Sequence, residues 1–236
     1  MATRKEYTTD LSDQEWQLIE PHLPSPKPLG RKIEYSRREI LNAIFSLNRN
    51  GCTWRDLPGD FPPSGMVSHS SHAWRRQGLW QVLNEVLRTQ LRVAQGRHPQ
   101  PSAAILDSQS VKTTEIAGER GYDAGKKVKG RKRHILVDTM GLLLIVVVPV
   151  ASIQDRDGAK LVLARGARHL TRLVPIWADG ASAGELINWV KTTCQCVLEI
   201  VKRTDSCKGF QVLPRRWARR TDFWMAQSLS PPGQRL

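Results

Sequence analysis

In the stretch RHILVDTMGLLLIVVVPV, residues 133–150, two apolar runs lie on either side of the turn-forming residues 138–141. This pattern predicts a β-hairpin. The apolar run 103–106 predicts a strand before the hairpin, and the residues after it predict a helix to about residue 168, a strand at 174–178, a helix at 183–192 and a strand at 197–202. This order of elements predicts a mixed sheet with helices on its faces, which is the α/β class.

The residues before this region carry helical patterns. Ser12 with Glu15, and Ser36 with Glu39, have the spacing of capping boxes and predict the starts of two helices. A further amphipathic helix is predicted after Gly78. The first hundred residues therefore predict a small all-α region.

Two of these helices are joined by a short turn, with Arg75 and Arg76 nearby. This arrangement permits a helix-turn-helix that enters the DNA major groove, although any small helical bundle gives the same pattern. Proline and polar residues at 97–101 then break the helical pattern. We therefore expect a helical DNA-binding domain at 1–98, an α/β domain at 99–217 and a separate tail at 218–236.

The composition is strongly basic. The 236 residues include 36 Lys and Arg against 22 Asp and Glu, a formal charge of +14. A chain of this length can bury a core without disulfides, which excludes a disordered tail and a disulfide miniprotein, and its charge predicts a polyanion as partner. The densest basic cluster would suit phosphate contacts, and a solvated loop would show the same composition; its members are Lys126, Lys127, Lys129, Arg131, Lys132 and Arg133.

The cysteines and apolar runs bear on the cell compartment. None of the four cysteines forms a CxxC pair, which argues against a structural zinc site and favours a reducing cytosol. The N-terminus lacks the apolar core of a signal peptide, and the apolar run 140–153 is too short to span a bilayer. We therefore expect a soluble cytoplasmic protein that makes no membrane contact.

Two aspartates each follow an apolar strand pattern directly: Asp107 in AILDSQSV and Asp179 in PIWADGAS. A carboxylate at the end of a buried strand is held rigidly and points toward the cleft in which α/β proteins bind ligands. If the two strands are neighbours, these carboxylates can converge on a divalent metal ion. Each aspartate taken alone would equally suit a turn or a helix cap.

Several motifs resemble bacterial insertion-sequence transposases of the DDE type. They are LDSQSVKTTE, GYDAGKKVKGRKRHILVDTMGLLL, QDRDGAKLVL, IWADG, LEIVKR and KGFQVLPRRW, with LSDQEWQLIEPHLP and GCTWRDLPGDFPP in the helical region. The resemblance covers most of residues 8–217. It implies an RNase H-like catalytic domain at 99–217 that uses three carboxylates and two Mg²⁺ or Mn²⁺ ions. Asp107 matches the first carboxylate of the family and Asp179 matches the second.

The resemblance also implies an activity and partners. Such enzymes hydrolyse a phosphodiester at the end of the element and then use the freed 3′-hydroxyl to attack target DNA. The implied partner is double-stranded DNA, both the terminal inverted repeats and the target, and the implied state on DNA is a homo-oligomer. The basic cluster 126–133 would lie beside the active cleft and contact DNA phosphates.

The match fails at the third carboxylate, a Glu that the family places a few residues after a PRRW-like motif. Here the expected position falls near Arg219, and no Glu follows Glu199. Asp222 lies about one helical turn away and has a shorter side chain, so it is a poor substitute. The sequence therefore predicts a transposase that is truncated or frame-altered near its C-terminus and impaired in catalysis.

Two other functions are compatible with parts of the sequence. The first is a DNA-binding protein without chemistry, either a regulator or a transposase remnant. The second is a plain RNase H-like nuclease, which is disfavoured because the helical N-terminal region would then have no role.

Overall fold

The computed structural model describes residues 4–25, 35–113, 119–166, 169–180 and 184–201. They divide into two compact units, the first ending at Leu87 and the second beginning at Arg88. The division falls inside a helix, Leu79–Ala94, whereas the sequence predicts a boundary after residue 98. The domain limits 1–98 and 99–217 stay predictions, and the tail 218–236 lies outside the described residues.

The first unit is helical, as predicted. Its described helices are α1 (Asp13–Ile19), α2 (Arg37–Asn50), α3 (Ser64–Arg76) and the first part of α4 (Leu79–Ala94), with single 3₁₀ turns at Glu20–His22 and Trp54–Asp56. Apolar side chains from these helices form one core, in which Leu41, Leu47 and Val67 are fully buried.

Side-chain caps start the first two helices. The capping box at α1 is confirmed: Glu15 N donates to Ser12 Oγ over 3.2 Å, and Ser12 N donates to Glu15 Oε2 over 2.8 Å. At α2 only half of the predicted box forms. Glu39 N donates to Ser36 Oγ, but the Glu39 carboxylate accepts a 2.6 Å hydrogen bond from Arg4 Nε instead. The guanidinium offers this carboxylate a charged donor, and hydrogen bonds to charged donors are the stronger kind.

In its described residues the second unit contains a six-stranded mixed sheet and two further helices. The strands are β1 (Ala104–Lys112), β2 (Gly121–Asp123), β3 (Val128–Asp138), β4 (Leu143–Val147), β5 (Pro175–Ala178) and β6 (Val197–Ile200), and the helices are α5 (Asp155–Gly166) and α6 (Glu185–Cys194). Across the sheet the order is β4-β3-β1-β5-β6, and β2 pairs with the first residues of β3. Strands β1, β3 and β4 are antiparallel, whereas β1, β5 and β6 are parallel. The predicted α/β class is therefore confirmed, and the strand order is that of an RNase H-like sheet.

The β3–β4 hairpin turns where the sequence predicts. Asp138 Oδ1 accepts hydrogen bonds from Met140 N and Leu142 N, at 2.8 and 2.9 Å. Gly141 adopts a φ of 78°, which favours glycine. The other carboxylate oxygen of Asp138 accepts from Arg92 of α4, and both side chains are buried. Asp138 therefore fixes the turn and also ties the end of α4 to the sheet.

Two strands differ from the prediction. β1 continues past Leu106 to Lys112. Residues 107–112 do not show an alternating apolar pattern, but they pair antiparallel with β3. β2 has only three residues and no apolar run, so the sequence gives no signal for it. In both cases pairing with β3 forms the strand where the local pattern does not predict one.

The main core of the second unit lies between the sheet and the helices α5 and α6. Leu136, Val162, Ile176, Leu186 and Val190 are all fully buried in it. A smaller cluster around Ile105 and Val137 also contains the partly buried Trp177. Because this packing holds β1 and β5 firmly, the residues that follow their paired segments are positioned by a rigid sheet.

Candidate active site

Asp107 and Asp179 lie at matching distances along the chain from a residue pair that joins two neighbouring parallel strands. Ile105 of β1 pairs with Trp177 of β5, and each aspartate lies two residues further along the chain. Paired strands lie about 4.8 Å apart, so the two aspartates follow backbones that are adjacent at Ile105 and Trp177. Both line one pocket, together with Leu106, Ser108, His134 and Asp155.

The site opens where β5 ends. The parallel pairing of β1 with β5 covers Ala104 and Ile105, and β5 itself ends at Ala178. Asp107 therefore lies inside β1 rather than at its end, which corrects the sequence-based expectation, whereas Asp179 follows its strand as expected. Ser108 N donates a 2.8 Å hydrogen bond to Asp107 Oδ1, so this carboxylate is oriented by its own strand.

Asp155 is a third carboxylate in the pocket lining. It is the first residue of α5, the helix that the sequence predicts after the hairpin. Its Oδ1 accepts a 2.8 Å hydrogen bond from Ser108 Oγ and lies 3.2 Å from Lys132 Nζ. Asp155 is thus engaged by partners within the fold.

Lys132 is a buried cation between two carboxylates. Its side chain is only 6% exposed, and Nζ lies 3.0 Å from Asp123 Oδ2 as well as 3.2 Å from Asp155 Oδ1. Burial by itself lowers the pKa of Lys132, yet the hydrogen bonds and charges of Asp123 and Asp155 raise that pKa above its ordinary value. Burial opposes ionisation of Asp123 too, but hydrogen bonds from Ser110, Lys132 and the amide of Lys126 hold the pKa of Asp123 well below its usual range.

The other members of the predicted basic cluster differ in exposure. Lys126, Lys127 and Lys129 are exposed, Arg131 is half-buried, and Arg133 is only 8% exposed, so that burial lowers its pKa. Lys126 comes closest to the pocket, because its Nζ donates to the Ser108 carbonyl oxygen over 3.2 Å. The structure therefore divides the cluster into exposed residues and residues that belong to the interior.

Arg75 and Arg76, the other predicted DNA contacts, lie in the last turn of α3 in the first unit. Both side chains are exposed. Their position in a helix end agrees with a surface role, and their contact with DNA stays a prediction.

His134 is a pocket residue that sequence reasoning missed. It is 1% exposed, and its Nε2 has no hydrogen-bond partner among the described residues. Burial lowers the pKa of His134 to about 4, and the ring packs so closely on Gly158 of α5 that a Cβ there would lie 2.1 Å from Nε2. The sequence signal that could have identified His134 is the alternation of side-chain direction along β3. It places Lys132, His134 and Leu136 on the same side of the strand.

The donors in this pocket suit a hard divalent cation in part. Two adjacent carboxylates supply the oxygen ligands that Mg²⁺ and Mn²⁺ prefer. Within residues 4–201, as far as they are described, no group of three His, Cys, Asp or Glu side chains has the arrangement of a metal site. Asp107 and Asp179 are therefore suited to be two ligands of such an ion, whereas the Asp155 carboxylate already contacts Lys132 and Ser108. The position near Arg219, where the family has its third carboxylate, lies outside the described residues.

Sequence families match both parts of the chain. Residues 11–84 match a family described as "Putative transposase of IS4/5 family", and residues 98–223 match the transposase DDE domain. The insertion element IS402 uncharacterized 16.2 kDa protein of Burkholderia cepacia is 34% identical over 124 residues, which cover 50% of this chain and 78% of that protein.

Among solved structures, a chain of the piggyBac transposase synaptic complex with hairpin DNA is similar at a TM-score of 0.41 and 12% identity. The alignment covers 82% of this chain and 47% of that chain, so the present chain spans about half the length of the piggyBac protein. No helix in the described ranges is long and apolar enough to cross a membrane. The match of the DDE domain over more than half of the sequence, together with the IS402 relative, shows that the chain belongs to the DDE transposases of insertion elements.

Proposed function

We propose that the second unit cleaves phosphodiester bonds at the ends of an insertion element and joins the freed 3′ ends to target DNA, with Asp107 and Asp179 as its catalytic carboxylates. The observation that supports this most directly is the matching position of the two aspartates on β1 and β5, in one pocket. Phosphoryl chemistry of this class requires little from the protein beyond positioned metal ligands and a held substrate.

Asp107 and Asp179 would hold two Mg²⁺ or Mn²⁺ ions. Such a pair of ions, when bound, activates the attacking oxygen and stabilises the leaving oxygen. The residues of this chain orient the carboxylates: Ser108 N donates to Asp107, and the pairing of β1 with β5 brings the two backbones side by side two residues before the aspartates. The buried ring of His134 lines the pocket beside these carboxylates.

The exposed basic residues beside the pocket would hold the DNA backbone. We assign phosphate contacts to Lys126, Lys127, Lys129 and the half-buried Arg131, and not to Lys132 and Arg133, which are buried. Arg75 and Arg76 would contact DNA from the first unit. The partner would be double-stranded DNA with terminal inverted repeats or target sequence, bound by a homo-oligomer.

Cleavage by this chain would be impaired. The position expected for the third carboxylate falls near Arg219, and the sequence has no Glu after Glu199. A guanidinium at that place would repel the cations that a glutamate would help to bind. This observation also favours a second function, a DNA-binding protein that occupies element ends without cutting them.

A nicking assay separates these two functions. Its substrate is a duplex from the DNA that flanks the coding sequence of this chain, and its comparison is an unrelated duplex. We expect the chain to shift the flanking duplex in a gel and to nick it weakly in Mg²⁺, with Arg219→Glu raising the product. A shift without nicking, before and after Arg219→Glu, would support the non-catalytic function. Equal nicking of the unrelated duplex would indicate a plain nuclease.

A further inference from the structure

A chain of polar contacts leads from a buried lysine to the first catalytic aspartate. Lys132 Nζ lies 3.2 Å from Asp155 Oδ1, and the same oxygen accepts a 2.8 Å hydrogen bond from Ser108 Oγ. Ser108 N donates to Asp107 Oδ1 over 2.8 Å. The contacts therefore join β3, the start of α5 and the segment of β1 that carries Asp107.

The same lysine is anchored on its other side. Asp123 Oδ2 lies 3.0 Å from Lys132 Nζ and accepts a hydrogen bond from Ser110 Oγ, two residues beyond Ser108 on β1. The backbone of Lys132 is also held, because its N–H donates to Pro149 O over 3.0 Å. Lys132 thus bridges two carboxylates, each of which holds a serine of β1.

Burial determines what Lys132 can do. Its side chain is 6% exposed and that of Asp123 is 9% exposed, so the ammonium is shielded from a DNA backbone at the surface. A buried ammonium requires carboxylate partners, and a carboxylate in a metal pocket that is neutralised by an ammonium is a poor ligand for a cation. The contacts of Lys132 therefore compete with metal binding by Asp155.

We propose that Asp123, Lys132, Asp155 and Ser108 form a positioning array that orients Asp107, with Lys132 as a positioning residue and Asp155 as neither a metal ligand nor a phosphate contact. This inference rests on the proposed function of Asp107 as a metal ligand. Residues behind a ligand fix its orientation, and their loss typically weakens metal affinity by about 10- to 100-fold.

The test measures Mn²⁺ binding to the full chain by the loss of the free-ion electron paramagnetic resonance signal. Ser108→Ala removes the hydroxyl that reaches Asp155, whereas Ser108→Thr retains a hydroxyl and is the matched control. We expect Ser108→Ala and Asp155→Asn to weaken Mn²⁺ binding by about 10-fold at a temperature at which both variants are folded, and Ser108→Thr to bind like the wild type. Asp107→Asn is expected to remove binding at this pocket.

A second readout needs no metal. Amide hydrogen exchange of residues 107–110, followed by nuclear magnetic resonance, reports how firmly this part of β1 is held. We expect faster exchange there in Ser108→Ala and Asp155→Asn, and wild-type exchange in Ser108→Thr. If Asp107→Asn leaves Mn²⁺ binding unchanged, the proposed metal site is wrong, and exchange alone decides whether the array positions β1.

Three results would overturn the array. One is wild-type exchange of residues 107–110 in both Ser108→Ala and Asp155→Asn. Another is loss of Mn²⁺ binding in Asp155→Asn as complete as in Asp107→Asn, which would make Asp155 a ligand. The third is a flatter salt dependence of DNA binding in Lys132→Met, which would make Lys132 a phosphate contact. Should Lys132→Met fail to fold, the Ser108, Asp155 and Asp107 variants still decide the first two.

Discussion

Asp107 and Asp179 line the same pocket from neighbouring parallel strands, each two residues past the paired residues Ile105 and Trp177. Asp107 is therefore held inside a paired strand, and Asp179 directly follows the last residue of β5. Sites built on strands hold their side chains more precisely than sites built on loops, which suits metal ligands that must share an ion. Changes near this part of the sheet should accordingly affect stability and metal binding together.

Gly158→Ala should destabilise the second unit. Its new Cβ would lie 2.1 Å from His134 Nε2 and 2.2 Å from Cε1, and the ring is 1% exposed and cannot swing into solvent. Overpacking of this kind costs about 1 to 3 kcal/mol, measurable by urea unfolding. Gly125→Ala, whose Cβ would make an ordinary 3.5 Å contact with Asp123, is the control. Equal stabilities for the two variants would show that the ring is free to move.

The buried His134 should make stability depend on pH. Its pKa in the folded chain is about 4, lowered from 6.5 by burial, so the unfolded chain binds the proton more readily. The free energy of unfolding should therefore fall as the pH drops from about 6.5 to about 4. In His134→Gln the melting temperature should fall less over this pH range than in the wild type. In the control His169→Gln, which replaces an exposed histidine, it should fall as much as in the wild type. A decrease of the same size in His134→Gln would assign the effect to other groups.

Loss of Arg92 should leave a buried charge without its cation. Arg92 donates to Asp138, whose side chain is fully buried. Breaking a buried ion pair from one side costs about 3 to 5 kcal/mol, so Arg92→Met should lower the free energy of unfolding by that amount. The exposed Arg165→Met should change it by less than about 0.5 kcal/mol. If both variants unfold at the same urea concentration, the pair contributes nothing to stability.

Lys126, Lys127 and Lys129 should each neutralise a DNA phosphate. Each such contact contributes about 0.9 to the slope of log affinity against log salt concentration, so replacing all three with Ala should flatten the slope by as much as about 3. Binding should weaken alike for all sequences, because phosphate contacts do not read bases. Lys191→Ala, which removes an exposed lysine of α6, should keep the slope. An unaltered slope in the triple variant would place these lysines away from DNA.

The apolar patterns were sufficient to predict the sheet class and the β3–β4 hairpin, and they pointed to two aspartates that line one pocket in the structure. These signals are local: an apolar run marks the start of β1 and strands β3, β4, β5 and β6, and Asp138 with Gly141 marks the turn. The extension of β1 from Asp107 to Lys112 and the short β2 carry no such signal. They form through pairing with β3, which is a contact between residues distant in sequence.

The basic cluster shows a second limit of sequence reasoning. Lys126 and Lys132 belong to the same charged run, yet one is exposed and the other is buried between Asp123 and Asp155. Composition cannot distinguish them, because the buried position depends on carboxylates from β2 and α5. Asp155 has a pocket role for the same reason, in addition to starting the helix that the sequence predicts.

A crystal soaked in Mn²⁺ tests most directly whether Asp107 and Asp179 share metal. We predict an anomalous peak within about 2.2 Å of carboxylate oxygens from both aspartates, which Asp107→Asn or Asp179→Asn removes. A saturated crystal with no peak at this pocket, or with Mn²⁺ bound to only one of the two carboxylates, would contradict the proposed catalytic centre.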